Sequence, residues 1–234
     1  MDVRPRAQPV VLRAWDVRAI LAGGKTALRV PFETQPRGEW ALKEVVHDRD
    51  TAAWFRDPNG APWVETCHMG MPGTHLWVRE SAYIAPPYFG DVHDSHMRKD
   101  PKGRDRIVGY AASMDADSVH IAQGYGVRLT QGSTMPRWAS RLLLRITDIQ
   151  AQRVQDISNA EAVAEGAHQQ DTGKDVGGQP LASWSADWPH PRNHEECLLL
   201  PRFAVQNVWK RRYRWTKFHE WTWRISFEVV PSEA

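Results

Sequence analysis

Apolar and polar positions alternate most regularly near the end of the chain. Trp221, Trp223, Ile225, Phe227 and Val229 interleave with Thr222, Arg224, Ser226 and Glu228, the period of two that a half-buried strand imposes. The same period sets Leu142, Leu144 and Ile146 against Arg141, Leu143, Arg145 and Thr147, in a strand fed by the rigid turn Met135-Pro136-Arg137-Trp138. Leu76 and Val78 share a strand face with Glu80, while Trp77 and Arg79 take the other. A glutamate on an apolar face requires a partner. Thr26, Leu28 and Val30 share a face of a strand over 25–30, and 10–13 is a further candidate strand.

Helical spacing occurs in three places. Asp16 is placed to cap a short helix carrying Val17, Ile20 and Leu21, with Gly23 or Gly24 as its end. Ser158 and Glu161 form a capping box, Ala160, Val163, Ala164 and Ala167 predict a packed face, and Gly166 marks the stop. The stretch 201–209 predicts a third helix with Phe203, Val208 and Trp209 apolar.

Between these elements, prolines at 31, 36, 58, 62 and 72 predict short strands and turns over 31–75, anchored by Trp40, Trp54 and Trp63. Residues 84–132 read as a long polar insertion, with Tyr110 opening a further strand, and residues 168–191 as a loop. One domain over 1–234, with insertions at about 84–132 and 168–200, is therefore expected, and the terminal strand is expected to close a small barrel.

Composition narrows the chemistry. The 234 residues suffice for one domain with a real core. Thirty Lys and Arg nearly cancel 28 Asp and Glu, which neither demands nor excludes nucleic acid. No apolar run reaches bilayer length and no signal-type apolar segment opens the chain, so no membrane and a cytoplasmic location are expected. Cys67 and Cys197, the only two cysteines, fit a reducing compartment. Twelve tryptophans are many; such residues fill cores and also wall pockets that stack flat rings. Asp91, His93, Asp94 and His96, and separately His190, His194 and Cys197, have loose metal-like spacing. A strand would split the first set by face, the second lacks a fourth ligand, and no metal or other cofactor is expected. Lys210 to Trp215 interleaves cations with aromatic rings, as nucleic-acid surfaces do and as solvated edges also do. Walker, Rossmann and nucleophile-elbow motifs are absent from the sequence.

Two residues stand out. Glu165 falls in the last turn of its helix, facing the negative end of the dipole, which costs roughly 0.3–1 kcal/mol unless a cation offsets it. Lys25 follows a glycine pair at the entry to a strand, where a side chain is easily aimed.

Four blocks together resemble the ASCH domain, a relative of the PUA fold, in its longer phage and bacterial form: AILAGGKTALR (19–29), PGTHLWVRES (72–81) with Cys67 before it, MPRWASRLLLRITDIQAQRVQDISNAEAVAEG (135–166) and WTWRISFEV (221–229). They cover about a quarter of the chain, in the family's order. The resemblance implies an α+β fold: a PUA-like small β-barrel with packed short helices, long loop insertions and a cleft between barrel and helices. It also implies RNA as a partner. The small bacterial members similar at the lysine junction and the glutamate helix are amidohydrolases that deacylate N(4)-acetylcytidine, using a lysine, a threonine and a glutamate. The lysine maps onto Lys25 and the glutamate onto Glu165. The threonine maps onto Leu28, and the nearest hydroxyl is Thr26, about 6.6–7 Å away along the strand.

The resemblance thus implies a catalytic set of Lys25, Glu165 and Thr26, with Lys25 as base, Glu165 protonating the leaving amine, and Thr26 or a water as nucleophile. Trp77 and Trp138 are candidates to stack the base. Arg29, Arg137 and Arg141 are candidates to meet ribose or phosphate, with Glu80 beside them, although Trp138 also suits a buttress and Arg141 a partner for Glu80 or an aspartate. The expected state is a monomer acting on a modified cytosine nucleoside. Two other readings stay open: a non-catalytic RNA-binding module and a phage accessory protein that binds a protein partner.

Overall fold

The structure, a computed structural model, describes residues 7–36, 38–87, 95–174, 178, 180–186, 198–213 and 220–231. In chain order its elements are β1 (Gln8–Val11), α1 (Ala14–Leu21), β2 (Ala27–Pro31), β3 (Ala41–His47), β4 (Thr51–Arg56), β5 (Pro62–Cys67) and β6 (His75–Arg79). There follow β7 (Ala82–Ala85), β8 (Ser95–Lys99), β9 (Asp105–Tyr110), α2 (Ala116–Gly124), β10 (Leu129–Thr130) and β11 (Leu143–Arg153). The last are α3 (Asn159–Ala164), β12 (His168–Lys174), β13 (Pro180–Ser185), α4 (Pro201–Tyr213) and β14 (Trp221–Val230). The class is mixed α+β with several sheets, and no closed barrel forms among the described residues. Two compact units are distinguished.

The first unit comprises Met1–Arg18, His75–Leu144 and Val229–Ala234. In it β1 runs parallel to β6, with Val10 opposite Val78. Leu76, Val78 and Glu80 are buried as their shared face requires. Where the sequence reads as a polar insertion, the structure builds a four-stranded antiparallel sheet in the order β10-β7-β9-β8, plus α2. The period of two is hidden in β9, whose last four residues, Ile107 to Tyr110, are all buried. Tyr110 ends this strand rather than opening one. Ala82, Val108, Tyr110, Met135 and Ala139 form the core, with Trp138 packed on it. Asp115 caps α2 by accepting from the Ser118 N–H at 2.7 Å.

The second unit comprises Ala19–Thr74 and Arg145–Glu228. Here β14 lies between β11 and β2, with Ile225 opposite Leu28 and Arg224 opposite Arg29. The proline-broken stretch becomes the antiparallel meander β3-β4-β5. Its register turns Phe55 inward, against Trp63 at 4.9 Å and Trp221 at 4.8 Å. Trp54 consequently points out and is 42% exposed, so it does not anchor this region. Residues 168–174 and 180–185 also pair, as the antiparallel strands β12 and β13, where the sequence reads as a loop. Helix α4 buries Pro201, Ala204, Val205 and Trp209, and Phe203 faces out.

No helix among the described residues is long and apolar enough to cross a membrane. Asp91, His93, Asp94, His190, His194, Cys197 and the end of the 210–215 cation-aromatic run lie outside the described residues. Among the described residues no group of three metal-ligating side chains gathers.

Candidate active site

Two helix ends in the second unit create the site. The end of α1 closes with the Gly24 N–H donating to Ala19 C=O and the Gly23 N–H donating to Ile20 C=O, each at 2.9 Å. This is the Schellman pattern, and it needs the left-handed φ of 73° at Gly23. Asp16 lies inside the first turn of α1, three positions beyond the N-cap residue. The chain leaves in a new direction, and Lys25 forms an antiparallel bridge with Glu165.

Helix α3 opens with the expected capping box. It ends in a second Schellman pattern, Ala167 N–H to Ala162 C=O and Gly166 N–H to Val163 C=O, both at 2.9 Å. Gly166 carries the left-handed φ of 102°. The helix is rotated away from the expected packing: Ala162 is buried, whereas Ala160 and Val163 are exposed. The rotation turns Glu165, the residue that caps the C-terminus, inward to 7% exposure. Replacing Ser158 by alanine removes the cap and is expected to cost ~1 kcal/mol, measurable as a lower urea midpoint at unchanged slope; an unchanged midpoint would count against the capping box.

The cation that the glutamate calls for is Arg29. Its Nη2 lies 2.7 Å from Glu165 Oε1, with the two side chains 1% and 4% exposed, and its Nε donates to the same oxygen at 2.8 Å. Arg29 Nη1 donates to Thr222 Oγ1 at 3.0 Å and Nη2 to Gln152 Oε1 at 2.9 Å. Thr222 Oγ1 in turn donates to Gln152 C=O at 2.8 Å. Gln152 Nε2 donates to Glu161 Oε2 at 3.1 Å, linking the site to the capping box. Burial pushes the Glu161 carboxyl up, but hydrogen bonds from Ser158 and Gln152 and the charge of Arg224 outweigh it and hold it below the ordinary range.

Lys25, itself buried, donates from Nζ to the main-chain oxygen of Glu165 at 2.5 Å. That oxygen is one of the carbonyls a helix C-terminus leaves without an intrahelical partner. Lys25, Ala27 and Arg29 alternate onto one side of the strand. Thr26 falls on the other side and is exposed; its main chain pairs with Ala164 C=O and the Phe227 N–H. Leu28 is buried opposite Ile225.

The remaining sequence-predicted residues belong to the first unit. Trp77, Arg137 and Trp138 line an open groove of about 920 Å³. Glu80 and Arg141 take each other: Arg141 Nε donates to Oε1 at 2.8 Å and Nη2 to Oε2 at 3.0 Å. The Arg141 guanidinium also lies over the Tyr110 ring at 4.1 Å. Thus Lys25, Arg29 and Glu165 come together, and Glu80 pairs with Arg141. Arg29 spends its guanidinium on protein oxygens rather than turning it to a ligand. Gln152 and Thr222 were not legible as site residues, because each reads only as a polar position of an alternating strand and its part in the site depends on Arg29, more than 100 positions away.

Comparisons with protein-family models, with curated proteins and with solved structures find no match for this chain.

Proposed function

We propose that this chain is an ASCH-type amidohydrolase that removes the acyl group from N(4)-acylated cytosine nucleosides such as N(4)-acetylcytidine, acting in the cytoplasm. The observation that supports it is the meeting of Lys25 and Glu165, 140 positions apart, at a buried ammonium-to-carbonyl contact, with Arg29 fixing the carboxylate. In this proposal the β11-β14-β2 sheet and α3 are the PUA-like part of the fold.

Hydrolysis adds water to the acyl carbon, breaks its bond to N(4) and returns a proton to the leaving amine. Arg29 occupies Glu165 Oε1, and Oε2 accepts a proton from the attacking water and passes it to N(4). Lys25 brings a cation to the acyl oxygen as it becomes an oxyanion. Thr26 faces away from both, so water is the nucleophile.

Cytidine release from N(4)-acetylcytidine, followed by chromatography, tests this. Lys25→Met and Glu165→Gln are expected to lower the rate by about 10²–10⁴-fold, while Thr26→Ala keeps it. Equal rates in all four folded proteins would overturn the assignment. A wild type that releases nothing across several acyl groups would favour the non-catalytic RNA-binding alternative, which the apolar Leu28 at the family's threonine position supports.

A further inference from the structure

We infer that Arg224 is the residue that selects cytosine, its guanidinium donating to the adjacent ring acceptors N3 and O2 of the base. The identity of the base rests on the amidohydrolase reading, whereas the residue and its test stand apart from it. Arg224 on β14 lies directly opposite Arg29 on β2, so the two side chains rise from one face of the sheet, about 4.5–5.5 Å apart at their Cβ atoms. That is the face to which Lys25 also belongs. Glu161 and Glu165 meet the arginines from α3, four positions apart and therefore on one side of the helix. Two arginine–glutamate rungs thus run side by side between sheet and helix, at a spacing on the scale of a pyrimidine ring.

The two rungs are not equivalent. All three nitrogens of Arg29 donate, to Glu165, Thr222 and Gln152. Arg224 has one charged partner among the described residues, Glu161, and its Nε stands 3.6 Å from Oε1, beyond hydrogen-bond length. That Nε is buried without a hydrogen-bond partner, although the side chain is only 17% exposed. Glu161 is turned elsewhere: its Oε2 accepts from the Ser158 N–H at 2.8 Å, from Ser158 Oγ at 2.9 Å and from Gln152 Nε2 at 3.1 Å. A largely buried guanidinium with open donors is unfavourable until an acceptor reaches it. Glu161 also sets the charge of that acceptor. Its carboxylate stands beside the fork, so a phosphate brought there would meet a like charge, and neutral acceptors would not. Cytosine offers N3 and O2 side by side, next to the amine that carries the acyl group. Uracil presents an N–H at N3, and a guanidinium, which has donors only, cannot pair with it.

The test measures binding and turnover separately, on the full chain. Titration calorimetry with cytidine and uridine should show wild type preferring cytidine by about 5- to 150-fold, the discrimination one bidentate pair supplies. Arg224→Met should lose that preference. Arg224→Lys keeps a cation beside Glu161 but has no planar fork, so it should hold the urea midpoint of wild type and still fail to restore the preference. In turnover of N(4)-acetylcytidine, Arg224→Met should raise KM by a similar factor and keep kcat, as loss of ground-state binding does. A wild type that binds cytidine through Arg224 yet releases nothing from N(4)-acetylcytidine would overturn the amidohydrolase reading and support this one. Turnover with KM unchanged in Arg224→Met would do the reverse. Absence of cytidine binding, or a cytidine preference that survives in Arg224→Met, would overturn the role of Arg224. So would cytidine 5′-monophosphate binding more tightly than cytidine with that gain lost in Arg224→Met, because the arginine would then hold phosphate.

Discussion

Replacing Arg29 by alanine is expected to cost about 3–5 kcal/mol of stability, because it leaves one charge of a buried pair without its partner. Glu165 is buried at the end of α3, and both Arg29 contacts to it go to a single carboxylate oxygen. The same substitution strands Thr222 Oγ1 and Gln152 Oε1, which accept from the two terminal nitrogens of Arg29. The double variant Arg29→Met with Glu165→Leu separates the cost of an orphaned charge from the worth of the pair. Apolar groups of similar volume avoid the desolvation that the ion pair has to overcome. Urea unfolding should therefore show the double variant losing less than Arg29→Ala alone. A loss under about 1 kcal/mol in Arg29→Ala, the range of exposed pairs, would mean that the guanidinium is not enclosed.

The inward turn of Glu165 could be read in the sequence only as a problem, a carboxylate at the wrong end of a helix dipole. Its answer lay in long-range pairing. Arg29 reaches Glu165 because β2 runs beside β14 and Lys25 bridges to the helix end, and no local spacing encodes that. Local chemistry was legible wherever one face is buried and the other wet: β14, β11, β6 and the Ser158 capping box follow directly from the order of residues. Legibility failed where burial covers both faces or the helix is small-sided. Strand β9 carries four consecutive buried residues, so it has no alternation to detect. Helix α2 buries only Ser118 and Ala122, so it has no apolar stripe. Polar composition concealed β12 and β13 in the same way. The expectation that Glu80 needs a partner was sound for the opposite reason: a lone carboxylate on an apolar strand face has few ways to be satisfied, and Arg141 supplies the bidentate one.

That pair carries the second large prediction, and its size depends on pH. Burial pushes the Glu80 carboxyl above the ordinary range, and hydrogen bonding and charge from Arg141 pull it back only in part. A carboxyl whose folded pKa exceeds its unfolded value holds more protons in the native state. Its contribution to stability is therefore complete below the unfolded pKa, near 4.5, and is lost as pH rises through the folded value. Arg141 limits that loss. Arg141→Met removes the limiting cation and leaves the carboxylate to face Tyr110 and Met135 alone at neutral pH, at an expected cost of about 3–5 kcal/mol. At pH near 4.5 the carboxyl is increasingly neutral and needs a cation less, so the same variant should lose clearly less there. Glu80→Gln in the Arg141→Met background should abolish the pH dependence that Arg141→Met introduces. Urea midpoints of the three proteins at about pH 4.5 and pH 7.5 read all of this directly, since the expected window opens at the unfolded carboxylate value. An Arg141→Met loss equal at both pH values would place its effect in packing over the Tyr110 ring and not in the charge of Glu80.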